Sequence, residues 1–356
     1  MRPYLLEFAA ACSCAIERNG ARTRLLRLGD TAIRLRFAGP ALLPYAAPLA
    51  HRFEQADPEQ PPRLTIELWD AESAGVLPPP FPCHDGHPPA RGETRRYPED
   101  DVRIQFTSGV RPRDRALTAV TVFDERAAVI RYFVSAPDRI PWSERAAPLR
   151  TALQWGLTRP GGLLVHAGAV GAGGRSALLA GRGGSGKSTT AVAALLAGLD
   201  YLGDDYVYLT LGPSGEDPVA HSLHATAKLA ADSLMLLPQL ADHPAVRRPA
   251  GAAKYVLDVS ALRPEGLRHS SQVSAIVIPD VQPRRPAAIE PVTPGAALLA
   301  MAPTTVLQAP GPTAAELGPL AKLASRVPAF RLVLGGSPDE ALPLLRQILD
   351  RADSRW

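Results

Sequence analysis

Between residues 181 and 188 the chain reads Gly-Arg-Gly-Gly-Ser-Gly-Lys-Ser, a complete match to G-x-x-x-x-G-K-[ST]. No other feature restricts the fold so tightly. Consecutive glycines let backbone N–H groups turn inward around an anion with no side chain in the way. Such a loop is entered from a strand and left by a helix, whose positive N-terminal end completes the anion site. Both flanks comply: 176–180 is a short apolar strand, and 189–199 is apolar on all sides, as a buried helix is. The spacing assigns phosphate binding to Gly181, Arg182, Gly183, Gly184, Ser185, Gly186, Lys187, Ser188 and Thr189. Lys187 reaches the β- and γ-phosphates, and the Ser188 hydroxyl is available to Mg²⁺.

One helix later comes an acidic pair, Asp204-Asp205. A helix of about ten residues carries the chain roughly 15 Å from the loop, at 1.5 Å per residue. A short returning strand then delivers both carboxylates to the phosphates. One can hold Mg²⁺ and the other can accept a proton from an attacking hydroxyl. The plain alternative is a polar turn between strands, disfavoured because this loop topology needs an acidic metal partner nearby. His166 ends the apolar run 163–166, and a strand beside 176–180 sets its ring near the γ-phosphate. Taken alone, a histidine after an apolar strand is more often a core or turn residue. Lys228 and Lys254 are two of only four lysines among 39 basic residues. Either can neutralise a transferring phosphoryl group, and either can equally be a surface lysine.

At 356 residues the chain is long enough for two domains. Residues 1–140 read as β-rich, with apolar and polar residues alternating at 33–37, 64–68 and 102–106 and further apolar runs at 117–123 and 128–134. Seven prolines within 77–101 predict one long exposed loop. Cys83, His84, Asp85 and His87 fall in that loop and read as exposed rather than as a metal site. The second domain, 141–356, opens with a helix over 149–157 whose first turn takes Pro148. Strands are predicted at 273–278, stopped by Pro279, and at 330–334. The last helix has Ser337 as cap, Pro338 in first position and Glu340 completing a capping box.

A net charge of +4, scattered along the chain, gives no footprint for nucleic acid. Three cysteines make no disulfide framework and fit a reducing cytoplasm. The apolar start of the chain is interrupted by Glu7, and no uncharged run nears the ~20 residues that cross a membrane.

The runs 163–170 and 178–188, followed by Gly203-Asp204-Asp205, resemble the HPr kinase/phosphorylase superfamily. Within it they are most similar to the HPr-kinase-like serine kinases of lasso-peptide and other ribosomal-peptide biosynthesis. The resemblance implies an α/β (α+β) fold: a P-loop kinase core on a mixed sheet, related to HPr kinase and phosphoenolpyruvate carboxykinase. It implies Asp205 as proton acceptor from a serine, with His166 and Lys187 assisting at the transferred phosphate. Relatives that assemble as hexamers make a homo-oligomer an expectation. Two departures stand out: Thr189 follows Ser188 where HPr kinases have Glu, and the long downstream signature with its metal-binding Glu is replaced by a stretch ending in Lys228. They point away from reversal as a phosphorylase and from HPr as acceptor.

The expectation is therefore a cytoplasmic kinase using ATP and Mg²⁺, the metal held by Ser188 and Asp204. Its acceptor is a serine of a ribosomal peptide or small protein, recruited by the β-rich domain. A small-molecule hydroxyl kinase and a nucleotide-binding regulatory ATPase are the alternatives.

Overall fold

The alternating runs of the first half become strands, in a computed structural model that describes residues 1–54, 61–82, 89–107, 117–212, 217–306 and 317–350. The chain divides into two units, Met1–Gly156 and Leu157–Trp356. In the first, β1 (Ala21–Leu28), β2 (Thr31–Ala38), β3 (Phe53–Glu54), β4 (Leu64–Asp70), β5 (Thr94–Tyr97), β6 (Val102–Gln105), β7 (Ala119–Asp124) and β8 (Val129–Val134) form one mixed sheet. Its order is β3-β1-β2-β4-β8-β7-β6-β5, parallel only at β2–β4 and β4–β8. Helix α1 (Arg2–Asn19) covers it, burying Leu5, Phe8, Cys12 and Ile16 against Trp69, Phe106 and Phe133. The apolar start of the chain is thus core of this unit. The one-turn helices α2 (Ala71–Ala74) and α3 (Trp142–Arg145) lie in its connections.

In this half two readings differ from the structure and a third falls outside it. The proline-rich stretch is not a single loop, because β5 forms within it and pairs with β6 just beyond, Arg95 opposite Ile104. Cys83, His84, Asp85 and His87 lie outside the described residues. The boundary falls later than residue 140, since α4 (Arg150–Leu157) packs on the first unit's strands. Trp155 stacks on Phe123, Thr151 hydrogen-bonds Gln105, and a Cβ on Gly156 would run into Leu64. That helix begins after Leu149, which takes a positive φ of 60° while its N–H donates to the Tyr45 hydroxyl at 2.8 Å.

The second unit is built on a nine-stranded mixed sheet. Its strands are β9 (Gly162–Val165), β10 (Gly168–Ala172), β11 (Arg175–Leu179), β12 (Asp200–Gly203), β13 (Val207–Thr210) and β14 (Val219–Ser222). A separate three-stranded sheet comprises β15 (Thr226–Leu229), β16 (Val246–Arg247) and β17 (Tyr255–Asp258), after which β18 (Ser270–Val281), β19 (Ala288–Val292) and β20 (Ala329–Leu334) return to the large one. Alternation along the strands sorts side chains to two faces. Ala177, Leu179, Tyr201 and Val277 pack under α5 (Lys187–Leu196), α10 (Pro338–Asp350) and the small sheet. Leu178, Leu202, Val207 and Ile276 pack under α8 (Pro294–Val306) and α9 (Leu317–Arg326). Two short helices, α6 (Ala231–Leu236) and α7 (Val259–Leu262), flank the small sheet.

Pro279 does not stop β18. Beyond Val277 that strand has left β11 and pairs only with β20, so a missing N–H is tolerated on its open side. Helix α5 starts at Lys187, two residues earlier than expected, and ends at Leu196. Ser337 caps α10 and Pro338 takes its first position, as read: the Asp339 N–H donates to Ser337 Oγ at 3.2 Å, while the Glu340 N–H goes to the Ser337 carbonyl. Among the described residues no helix is long and apolar enough to cross a membrane.

Candidate active site

Strand order decides where the chemistry collects. β12 and β11 each run antiparallel to β10, which lies between them, so their C-terminal ends share one edge of the sheet. The glycine-rich loop leaves β11 at that edge, and Asp204-Asp205 leaves β12 beside it. The helix-and-return geometry expected from the spacing is what the chain adopts. Two glycines make the approach possible. Gly186 caps α5 with φ 99°, and a Cβ there would sit 2.6 Å from Leu334 Cδ1. At Gly203 a Cβ would come within 2.9 Å of Val207 Cγ2 and 3.1 Å of the Tyr206 carbonyl oxygen, leaving no room for a side chain beside the Asp pair.

Lys187, the first residue of α5, folds back over the loop and donates to the carbonyls of Gly181 (2.7 Å) and Arg182 (3.1 Å). Burial lowers its pKa. The carboxylates of Asp204 and Asp205 act to raise it, and the ammonium of Lys254 acts to lower it. Those three charges therefore lie close enough to be felt at the loop. Thr189, two residues on, shares a hydrogen bond of 2.8 Å with Ser233 of α6.

The two aspartates live in opposite electrostatic settings. Asp205 accepts on both oxygens, from His166 Nε2 at 2.8 Å and from Lys228 Nζ at 2.6 Å. Burial pushes its pKa up, but the His166 hydrogen bond and the Lys228 ammonium outweigh it and hold the carboxyl well below the usual range. Asp204 is fully buried, and burial followed by the charge of Asp205 raises its pKa, with the Lys228 backbone N–H (2.7 Å) and the Ser188 hydroxyl opposing. Its Oδ1 is buried without a hydrogen-bond partner.

His166 follows β9, which pairs with β13 and does not lie beside β11 as expected, and the His166 ring packs 5.1 Å from that of Tyr206, centroid to centroid. Its backbone N–H donates to the buried Thr305 hydroxyl of α8 at 3.2 Å. An ionised carboxylate only accepts, so Nε2 carries the proton toward Asp205. Nδ1 is buried and has no partner.

The structure therefore brings together Lys187, Ser188, Asp204, Asp205, His166 and Lys228. Lys228 is not a surface lysine: β15 presents its ammonium to one aspartate and its N–H to the other. Lys254 is exposed at the start of β17. Ser233, Tyr206 and Thr305 had no signal in the sequence, because their partners are set by packing. Among the described residues no group of three or more His, Cys, Asp or Glu stands ready for a metal. A hard cation here would have to draw on the Ser188 hydroxyl, Asp204 and a bound phosphate.

No family model matches the chain, and no curated protein matches it. Among solved structures it matches the HPr(Ser) kinase/phosphatase from Coxiella burnetii, with 13% identity over 53% of this chain and 89% of that one, at a TM-score of 0.28. A likeness that low adds nothing to the chemistry, which rests on the geometry above.

Proposed function

We propose that this chain is an ATP-dependent phosphotransferase acting on a hydroxyl, with a serine of a peptide or small protein as the acceptor. The observation that carries the reading is the Asp205 carboxylate, held between His166 and Lys228 beside the loop-and-helix anion site. The loop residues 181–188 supply backbone donors for the phosphates. Lys187, now on two loop carbonyls, exchanges them for phosphate oxygens.

Asp205 accepts the acceptor's hydroxyl proton as the new O–P bond forms and the bond between the γ-phosphorus and the bridging oxygen breaks, leaving ADP. His166 orients that carboxylate. Lys228 lies where its charge can pass from Asp205 to the transferring group. Ser188 and Asp204 Oδ1, a buried oxygen lacking a partner, suit a hard divalent cation and would hold Mg²⁺. Bound there, the ion supplies charge neutralisation on the phosphates. The first unit, which contributes none of these groups, recruits the acceptor.

Incubation with γ-labelled ATP and separate pools of serine peptides and small metabolites tests the reading. Label on peptides supports it, and label on metabolites moves the acceptor class. Label released only into water overturns transfer and leaves a regulatory ATPase.

A further inference from the structure

The small sheet β15-β17-β16 has one face in the core and one beside the Asp pair. Ala227, Leu257 and Val246 stand opposite one another across it, and Ala227 and Leu257 belong to the core, with Val246 packed against it. The next row, Lys228–Val256–Arg247, is likewise in register, so its side chains share the other face, Val256 buried between a half-buried Lys228 and an exposed Arg247. Lys228 in that row meets Asp205, which sets the direction of the face: it looks toward the site. Lys254 lies two residues before Val256, on the side of the sheet from which its charge reaches Lys187.

Arg247 and Lys254 are both exposed, and neither has an acidic partner among the described residues. Arg248 beside them is spent differently, its guanidinium 5.5 Å from the Tyr255 ring and its Nε on the Ala252 carbonyl. Asp258, two residues after Val256 on the same strand face, is used as the N-cap of α7, accepting from Ala261 N–H at 3.2 Å. Lys228 is paired with Asp205, so the positive charge without an ion-pair partner among the described residues is that of Arg247 and Lys254.

We propose that this row docks an acidic acceptor: a peptide whose phosphorylated hydroxyl lies at Asp205 and whose carboxylate side chains, two or three residues away, pair with Lys254 and Arg247. The inference deepens the kinase reading and rests on it for the position of the hydroxyl. Strands lie about 4.8 Å apart, so the backbone of Arg247 is about 10 Å from that of Lys228. An extended peptide covers that span in about three residues at ~3.3 Å each. A nucleotide at the loop does not account for Arg247, which is two strands removed from the lysine that meets Asp205.

Three fluorescent peptides test it, each with one serine flanked on both sides at the second and third residue by Glu, Gln or Lys. Fluorescence anisotropy with the full chain is expected to rank them Glu over Gln over Lys, with a preference that fades in high salt. Arg247→Glu and Lys254→Glu are each expected to weaken the Glu peptide about three- to tenfold and to strengthen the Lys peptide. Lys322→Glu, an exposed charge reversal on α9 under the opposite face of the large sheet, is expected to change neither. Equal binding of the three peptides, or a loss for Lys322→Glu as large as for Arg247→Glu, overturns the proposal. Because the readout is binding, it stands or falls separately from transfer, which the label assay reports.

Discussion

His166 Nε2 and Lys228 Nζ hold opposite oxygens of one carboxylate, Asp205, at 2.8 and 2.6 Å. Two donors on one side chain fix both its position and its ionisation. Asp205→Asn keeps the shape while removing the base and half of the accepting capacity. Phosphoryl transfer is expected to fall by about 10²-fold or more, the scale of general-base loss, with ATP affinity little changed. Single-turnover transfer beside equilibrium nucleotide binding checks this. Full activity in Asp205→Asn would remove the assigned role.

Lys228 has a second duty that a surface lysine lacks, since its own N–H holds Asp204. Lys228→Met keeps the backbone donor and deletes only the ammonium. The expected result is a drop in kcat of about 10²-fold, as for removal of one charge-stabilising donor, while the fold persists. Lys228→Arg is expected to recover only part of the rate, because a planar fork does not replace a point charge. A thermal melt unchanged from wild type separates this loss from unfolding.

Asp204 and Asp205 are neighbours in sequence with pKa values moved in opposite directions, and the proposed mechanism gives them different work. Asp204→Asn is expected to raise the Mg²⁺ concentration needed for half-maximal activity and to restore rate as Mg²⁺ is increased. Asp205→Asn is expected not to respond to added Mg²⁺. A titration of both variants against Mg²⁺ tells them apart, and identical curves would refute the division.

The loop, the helix after it and the Asp pair were legible in the sequence because each rests on local rules: glycine backbone freedom, helix length and a short return strand. The role of Lys228 was not, since it depends on which strand of a small sheet lies over β12, a contact between remote segments. Thr305 reaches the His166 N–H across 139 residues of chain, and no local pattern encodes such a pair. Pro279 misled for a related reason. Its effect depends on whether a neighbouring strand needs the missing N–H, and past Val277 β18 pairs with β20 alone. Helix α1 was not legible because Glu7 and Glu17 interrupt the apolar run in the linear sequence; in the helix they lie on the exposed side, opposite Leu5, Phe8, Cys12 and Ile16.

The first unit offers a test of stability against pH. Glu144 accepts from the Tyr45 hydroxyl at 3.0 Å, and the same hydroxyl receives the Leu149 N–H that turns the chain into α4. Burial pushes the Glu144 pKa up, and the hydrogen bond from Tyr45 only partly offsets it. A carboxyl whose folded pKa exceeds its unfolded value binds its proton more tightly when folded. Its contribution to stability is complete below the unfolded value of about 4.3 and is lost as pH rises through the raised folded value. Glu144→Gln keeps the acceptor for Tyr45 and cannot ionise. The variant is therefore expected to gain on wild type as pH goes from 4 to 7, with the difference in urea midpoint widening across that range. A difference that stays flat, or narrows, would show that Glu144 is paid no such penalty by its surroundings.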